Sequence, residues 1–373
     1  MVATNAYHGI GPVEAGGPDS AAMLHAKAMP PTGFAEDPGI MPAPRRLAPN
    51  YAALDLGTNN CRLLIARPAG AGFRVVDAFS RIVRLGEGLA ATGVLSEAAM
   101  ARTLDALKVC ADKIVHRHAT AGRYVATEAC RRAANCDEFI ARARDTLGIE
   151  LEIISTAEEA RLVVAGCAPL LDPRVPYALV FDIGGGSTEI VWLRQGASGT
   201  GHLARHDTAP EILGSISLPF GVVTFTERFG GVDVPAAAYT AMVAEAGAAL
   251  APFEERHRIA RHIAAHRVQM LGSSGTVTTL AGVHLALPRY TRALVDGSIL
   301  TFGQIAAVSR HLAGLDLDGR AASPCVGRER ADLVLSGCAI LDAICAIWPV
   351  GRLRVADRGI REGILFDLMH GST

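Results

Sequence analysis

The amino-acid sequence predicts a mixed α/β protein built from two related domains. Three observations carry that reading. Strand-like apolar runs alternate with helix-period segments, one strand-turn-strand pattern occurs twice, and a Pro-flanked break at Pro173 and Pro176 lies between the copies. The first copy is "LDLGTN" and the second "FDIGGGS", with Asp55 and Asp182 127 residues apart. Each has an acid at a strand end, then glycine, then hydroxyl or amide residues, then a second strand. Such a repeat predicts that each domain presents one hairpin loop.

The elements follow in order. Residues 1–49 hold eight of the 19 prolines and no sustained periodicity, which predicts a disordered tail. Residues 50–174 form the first expected domain. It opens with the strand-turn-strand of Asn50 to Ala66 and continues with a helix capped by Ser96 and a strand at "RYVAT". A helix from Asn135 to Leu147 stopped by Gly148, the strand "IELEIIS" and a helix at "STAEEARLVV" complete it. Residues 175–373 form the second. After the Asp182 hairpin come a helix over Ala236–Ala251, the strand "RVQML", the turn Gly272-Ser273-Ser274-Gly275 and a further helix. A final strand and helix lie in "RLRVADRGIREGILFDLM", and this last helix is placed to pack back on the first domain.

Composition narrows the function. A formal net charge of −1 gives no generic attraction to nucleic acid or to an anionic membrane, so neither partner is expected and any anion site must be local. Lysine is confined to Lys27, Lys108 and Lys113 among 36 basic residues, and arginine is the better bidentate partner for phosphate. The eight cysteines contain no C-x-x-C pair and sit mostly in apolar stretches, which argues against zinc and against a disulfide framework. No stretch reaches the length of a membrane span and no signal peptide is evident, so a cytoplasmic protein is expected.

Three consecutive glycines, Gly184, Gly185 and Gly186, exceed what a hairpin turn requires. Successive N–H groups in such a turn form an anion-binding concavity, and two opposed loops of this kind suit a phosphate chain lying between them. The phosphate-binding set is therefore Asp55, Gly57, Thr58, Asn59 and Asn60 from the first loop and Gly184, Gly185, Gly186, Ser187 and Thr188 from the second. Other phosphate motifs are excluded. No lysine supplies G-x-x-x-x-G-K-[ST], and Glu189 stands where G-x-G-x-x-G needs its last glycine.

Six segments in order, Asp55 to Asn59, Ala126 to Arg131, Ile154 to Arg161, Asp182 to Glu189, Gly272 to Thr276 and Arg361-Glu362-Gly363, resemble the exopolyphosphatase/guanosine pentaphosphate phosphohydrolase (Ppx/GppA) family over about residues 50–370. The resemblance implies an actin-like fold of two ribonuclease-H-like domains around a cleft, and removal of a terminal phosphate by water. The substrate it implies is inorganic polyphosphate, with guanosine pentaphosphate as the alternative. It further implies Mg²⁺, with K⁺ as a candidate activator, and a homodimer.

Individual residues carry competing readings. Thr156-Ala157-Glu158-Glu159 fits a capping box, in which Glu159 returns a hydrogen bond to the helix start; the resemblance implies instead that Glu159 is the general base. Asp55 and Asp182 either cap turns or hold Mg²⁺, which takes one or two carboxylates plus substrate oxygens, with Glu159 a third candidate ligand. Glu128 is a further cleft candidate, and Glu189 either lines the loop or sits on a strand edge. Arg131 is a solvated helix residue unless, as the resemblance implies, it contacts phosphate. Arg62, Arg84, Arg132, Arg161, Arg358 and Arg361 are candidates for a positive lining.

The turn Gly272, Ser273, Ser274 and Gly275 either starts a helix or contacts substrate, since helix N-termini bind anions and an actin-like fold receives a nucleotide there. His206-Asp207 fits an HD metal site only weakly. Departures from the family are Asn60, where serine is common, Arg358, where glycine is common, and the lack of a counterpart to the HD-like C-terminal region of longer members. Long-chain processivity is therefore not implied. Two other classes share such a fold, a non-hydrolytic nucleotide switch and a sugar kinase, and the latter lacks an insertion here to build its second pocket.

Overall fold

The computed structural model describes residues 48–70, 72–196, 210–230 and 234–371. The expected N-terminal tail and the His206-Asp207 pair fall on residues 1–47 and 197–209, outside the described residues.

Two sheets are built to one plan. In the first, β1 (Asn50–Leu56), β2 (Asn60–Ala69) and β3 (Gly72–Ile82) run antiparallel to one another in turn, and β4 (Ala119–Ala126) and β5 (Glu152–Ile153) add in parallel on the other side of β1, giving the order β3-β2-β1-β4-β5. In the second, β6 (Tyr177–Ile183), β7 (Thr188–Arg194) and β8 (Glu211–Leu218) repeat the antiparallel half, and β9 (Val268–Ser273) and β11 (Arg352–Ala356) repeat the parallel half. β10 (Ile299–Thr301) joins antiparallel to β11 as an extra edge strand. The sequence repeat is thus a repeat of strand order.

Side chains alternate across each strand, and here both faces are buried. Ala52, Leu54 and Leu56 face a core shared with the Glu97–His116 and Cys136–Leu147 helices, while Tyr51 and Ala53 face the opposite way. In the second sheet Leu179, Phe181 and Ile183 enter a core with the Ala236–His257 and Val334–Ile347 helices, and Ala178 and Val180 face away from it. The away-facing residues of both sheets meet in a third core with the Thr156–Cys167 and Ile360–His370 helices. Burial on two faces explains why β1 and β6 read as unbroken apolar runs.

Those two helices each follow the fifth strand of their plan, β5 and β11, and they cross at glycine. A Cβ on Gly166 would collide with the Gly359 carbonyl oxygen and lie 3.1 Å from the Gly363 nitrogen, and one on Gly363 would collide with the Leu162 carbonyl oxygen. Backbone meets backbone, so only glycine fits.

Most expected elements are present. Ser96 caps its helix by accepting from the Ala99 N–H, and Gly148 ends the next with φ 65°. Three expectations change. The strand expected over Ile149–Ser155 shrinks to Glu152–Ile153, because only Val125 and Ala126 of β4 remain to pair with it. The Ala236–Ala251 helix runs through Pro252 to His257, since Met242, Ala246, Leu250 and Phe253 continue one buried stripe past the proline. The cap of the Thr156–Cys167 helix is Ser155, whose hydroxyl accepts from the Glu158 N–H at 3.2 Å. That one-residue shift gives Glu158 the third helical position and overturns the capping reading of Glu159.

Replacing Gly166 or Gly363 by alanine should destabilise the protein by about 1–3 kcal/mol, as overpacking does. Gly247→Ala, in a helix interior with open space around it, should be neutral or stabilising by about 0.5–1 kcal/mol. Urea midpoints of the three variants check this, and equal midpoints would contradict the crossing as described.

Candidate active site

The hairpin turns between β1 and β2 and between β6 and β7 touch. A Cβ on Gly185 would lie 3.0 Å from Asn59 Cβ and 3.2 Å from Thr58 Cβ, and one on Gly186 would lie 2.6 Å from Thr58 Oγ1. The second and third glycines therefore let one loop approach the other. The turn itself is closed by the Gly184 N–H donating to the Ser187 carbonyl at 2.9 Å, matching the Gly57 N–H on Asn60 at 2.9 Å. The start of the Val222–Phe229 helix braces the second loop, with the Val222 N–H donating to Gly184 and the Val223 N–H to Gly185.

Between these turns lies a cavity of about 120 Å³ lined by both loops and by Asp55, Arg62, Thr127, Glu159, Asp182, Glu189, Ser274, Gly275, Thr276 and Arg330. The N–H groups of Thr58, Asn59, Gly185 and Gly186 donate to no acceptor among the described residues. Asn60 Nδ2, Asn59 Oδ1 and Ser274 Oγ are buried without a partner. Buried polar atoms are almost always satisfied, so three orphans at one cavity point to a polar ligand. Ser274 also has φ 114°, unusual for a residue with a side chain, which places strained backbone at the head of the Gly275–His284 helix.

Strand register explains which charges face the cavity. Asp55 pairs across its hairpin with Arg62, and Asp182 pairs across the other with Glu189. Cross-strand partners share a face, so each acid brings its partner with it. Burial, the dominant effect, pushes Asp55 above the usual carboxylate range despite Arg62, and pushes Asp182 up to about 6. Neither acid forms an ion pair among the described residues. The Arg62 and Arg330 guanidinium groups both lie at Gly275, and neither has a carboxylate ion-pair partner among the described residues. Among the described residues the Arg330 guanidinium donates only to Thr279 Oγ1, at 3.3 Å, and burial holds its pKa below the ordinary arginine value.

Glu159 is buried at the first turn of its helix, and Arg131 Nη1 donates to its Oε2 at 2.7 Å. Oε1 has no partner among the described residues and is left toward the cavity. The same guanidinium donates to Ile154 O at 3.0 Å and to Glu128 Oε2 at 3.0 and 3.2 Å. Burial, then the Glu189 charge, push Glu159 upward, and burial, then Asp182, push Glu189 up to about 7. Arg131 touches Glu159 and not Glu189, whose Oε1 accepts from the Ser217 hydroxyl at 2.9 Å. Of the two, only Glu159 is bonded to Arg131, which opposes the rise there.

Of the residues expected at the site, Asp55, Gly57, Thr58, Asn59, Asn60, Glu159, Asp182, Gly184, Gly185, Gly186, Ser187, Ser274 and Gly275 line the cavity. Thr188 instead donates its hydroxyl to the Phe220 carbonyl, Gly272 packs on Phe181, and Ser273 donates to the Arg358 carbonyl. Arg131 reaches the cavity through Glu159, and Glu128 binds Arg131 and packs beside Gly186 without lining the cavity. Of the candidate arginines only Arg62 lines it. Arg84 pairs with Asp332, Arg132 with Glu128, Arg161 with Glu158 and Asp367, and Arg358 with Asp296. Arg361 lines an adjoining compartment. Sequence reading passed over Thr127 and Arg330.

The donor set suits magnesium. Asp55 and Asp182 are oxygen donors lacking a cation, and Mg²⁺ characteristically takes its remaining ligands from water and substrate. Among the described residues no group of three or more His, Cys, Asp or Glu stands ready to hold a metal unaided. Glu159 has one oxygen committed to Arg131 and fits the ligand role less well.

The sequence profile of the Ppx/GppA phosphatase family matches residues 64–372. Exopolyphosphatase 2 of Mycobacterium tuberculosis is 33% identical over 333 residues, spanning 85% of this chain and 98% of that protein. The guanosine-5'-triphosphate,3'-diphosphate pyrophosphatase of Aeromonas hydrophila is 32% identical over 323 residues, 86% of this chain and 60% of that protein. The Ppx/GppA member from Aquifex aeolicus superposes with a TM-score of 0.68 at 27% identity, over 87% of this chain and 99% of that one. An exopolyphosphatase from Cytophaga hutchinsonii superposes with a TM-score of 0.75 at 23% identity, over 86% and 98% of the two chains. The two-sheet architecture is the actin-like, ribonuclease-H-like fold of those structures.

Arg131→Ala should lower kcat by about 10²-fold, because Glu159 loses its positioning. It should also cost about 3–5 kcal/mol of stability, since Glu159 and Glu128 are left without their buried cation. Steady-state rates and denaturant melts test the two effects, and a variant with wild-type kcat would remove Arg131 from the site.

Proposed function

Because the chain belongs to the Ppx/GppA phosphatase family, we propose that it is an exopolyphosphatase, hydrolysing the terminal phosphoanhydride of inorganic polyphosphate. The observation that carries this reading is the cavity between the two turns. Free N–H groups, orphaned side chains and two unpaired arginines converge there with a buried, arginine-bound glutamate at its edge. A volume of about 120 Å³ equals that of roughly four waters at liquid density, enough for one phosphoryl group and a water.

In this reading the terminal phosphoryl lies between the Thr58–Asn60 and Gly184–Ser187 turns. Glu159 Oε1 orients a water and takes its proton as the oxygen attacks phosphorus. The bridging P–O bond breaks, and the shortened chain leaves on the oxygen it keeps. Negative charge spreads over the three transferred oxygens in the transition state, so preorganised N–H donors and arginines provide most of the stabilisation. Mg²⁺ bound at Asp55 and Asp182 would neutralise part of that charge. The rest of the chain extends past Arg62 and Arg330 into the adjoining compartment, which Arg292, Arg358 and Arg361 also line.

Hydrolysis of guanosine pentaphosphate is the second reading, favoured by the size of that compartment, about 680 Å³ with Tyr290 in its wall. The test is phosphate release by purified protein from polyphosphate, guanosine pentaphosphate and ATP in parallel, with and without Mg²⁺. Faster release from polyphosphate at matched concentration supports the first reading, and preference for the guanosine substrate supports the second.

Two further outcomes are expected. Glu159→Gln keeps an acceptor for Arg131 but loses the base, so kcat should fall about 10²- to 10⁴-fold with a smaller melting shift than Arg131→Ala. The acid limb of the pH profile of kcat/KM should lie well above the ordinary glutamate value of 4.5, because burial raises both Glu159 and Glu189. An acid limb at or below 4.5 contradicts the assignment of the base.

A further inference from the structure

The segment Val83–Gly88, between β3 and the rest of the first half, is fastened to the first phosphate turn and also reaches the second half of the chain. Val83 N–H and Arg84 N–H both donate to the Asn59 carbonyl, at 2.9 and 3.1 Å, and Gly86 N–H donates to the Thr58 carbonyl at 2.9 Å. Arg102 secures the segment from behind, donating to the carbonyls of Val83 and Arg84 and to Glu87.

From this base two struts cross over. Arg84 Nη2 binds Asp332 Oδ2 at 2.9 Å and donates to the Glu329 carbonyl at 3.3 Å. Gly88 N–H donates to Glu227 Oε1 at 2.9 Å. Both landing points belong to the opposite wall. Asp332 lies in the turn where the Leu333 and Val334 N–H groups donate to the Arg330 carbonyl, two residues from the cavity arginine. Glu227 lies on the Val222–Phe229 helix, whose first turn braces Gly184 and Gly185.

Arg84 itself has φ 48°, a left-handed backbone that costs a side-chain-bearing residue of order 1–3 kcal/mol and persists only when its surroundings over-determine it. Here the shared Asn59 carbonyl and the Asp332 ion pair both require it. An exposed ion pair alone contributes little, but Arg84 and Asp332 are only 34% and 19% exposed and sit on the two parts whose separation sets the cavity.

We propose that Arg84 and Asp332, with the Gly88–Glu227 strut beside them, form a latch that fixes the distance between the two phosphate turns, making both positioning residues for phosphoryl transfer. Neither lines the cavity. Their action is to keep the Thr58–Asn60 amides and Arg330 aimed at the same anion, so releasing the latch costs transition-state contacts more than ground-state binding. The kinetic part of this inference rests on the exopolyphosphatase reading; the structural part does not.

The test compares Arg84→Asp, Asp332→Arg and the charge-swapped double variant. Each single change sets like charges face to face and should lower kcat for phosphate release from polyphosphate about tenfold with little change in KM, and the double should recover to within about threefold of wild type. Amide hydrogen exchange at Gly57, Val83, Gly86 and Gly184, whose N–H groups are bonded at the two turns, should rise in both single variants and return in the double, with melting temperatures unchanged throughout. A double variant no better than the singles, or singles with wild-type exchange and kcat, overturns the latch. If wild-type protein releases no phosphate from polyphosphate, the functional reading falls, and the exchange pattern alone decides the latch.

Discussion

Contact between the two hairpin turns governs the site. With Gly185 and Gly186 set against Thr58 and Asn59, the N–H groups of both turns converge on one small volume. A side chain at either glycine would have to force the turns apart. The separation that would follow, about the size of a methyl group, is large against a hydrogen-bond distance window a few tenths of an ångström wide. Such turns are often assigned glycine to admit a ligand. In this protein Gly185 and Gly186 admit the other half of the chain, and the ligand space follows from that approach.

Electrostatics then gives the cavity its demand for a ligand. Asp55, Asp182 and Glu189 are raised by burial, while Arg330 is lowered by it. Directly paired, these groups would neutralise one another and the cavity would close as an internal salt bridge. Instead the acids and the Arg62–Arg330 wall remain unpaired among the described residues. A phosphoanhydride accompanied by a divalent cation would supply both missing charges at once, an anion for the arginines and a cation for the aspartates. Glu159 is raised by burial as well, but it alone of these acids is bonded to an arginine, Arg131, which opposes the rise.

Much of this was legible in the sequence for a simple reason. A repeat in the one-dimensional pattern became a repeat in strand order, and a turn with an acid at its entrance can be recognised without knowing where it lies. Register could also have yielded Glu189 as a wall residue, since Arg62 and Glu189 stand equally far after Asp55 and Asp182 and must share their faces. Arg330 left no such trace. It sits in "GRERADL", a charged stretch that reads as solvated loop, and only the packing of the Val334–Ile347 helix turns it inward. The capping error has a similar origin: Ser155 and Thr156 are both good caps, and the choice between them decides whether Glu158 or Glu159 stands at the third helical position.

The base and the fold are tied through one helix. Thr156–Cys167 presents Glu159 at its first turn and Gly166 at its last, so the carboxylate proposed to position water and the glycine that meets Gly359 and Gly363 belong to the same helix. Its crossing partner, Ile360–His370, begins beside Arg361 and Glu362 at the compartment next to the cavity. Backbone contact at this crossing leaves no room for sliding side chains. Because Glu159 lies about two turns from the crossing glycine on the Thr156–Cys167 helix, at 5.4 Å per turn, a tilt of the helix at the crossing would displace the carboxylate.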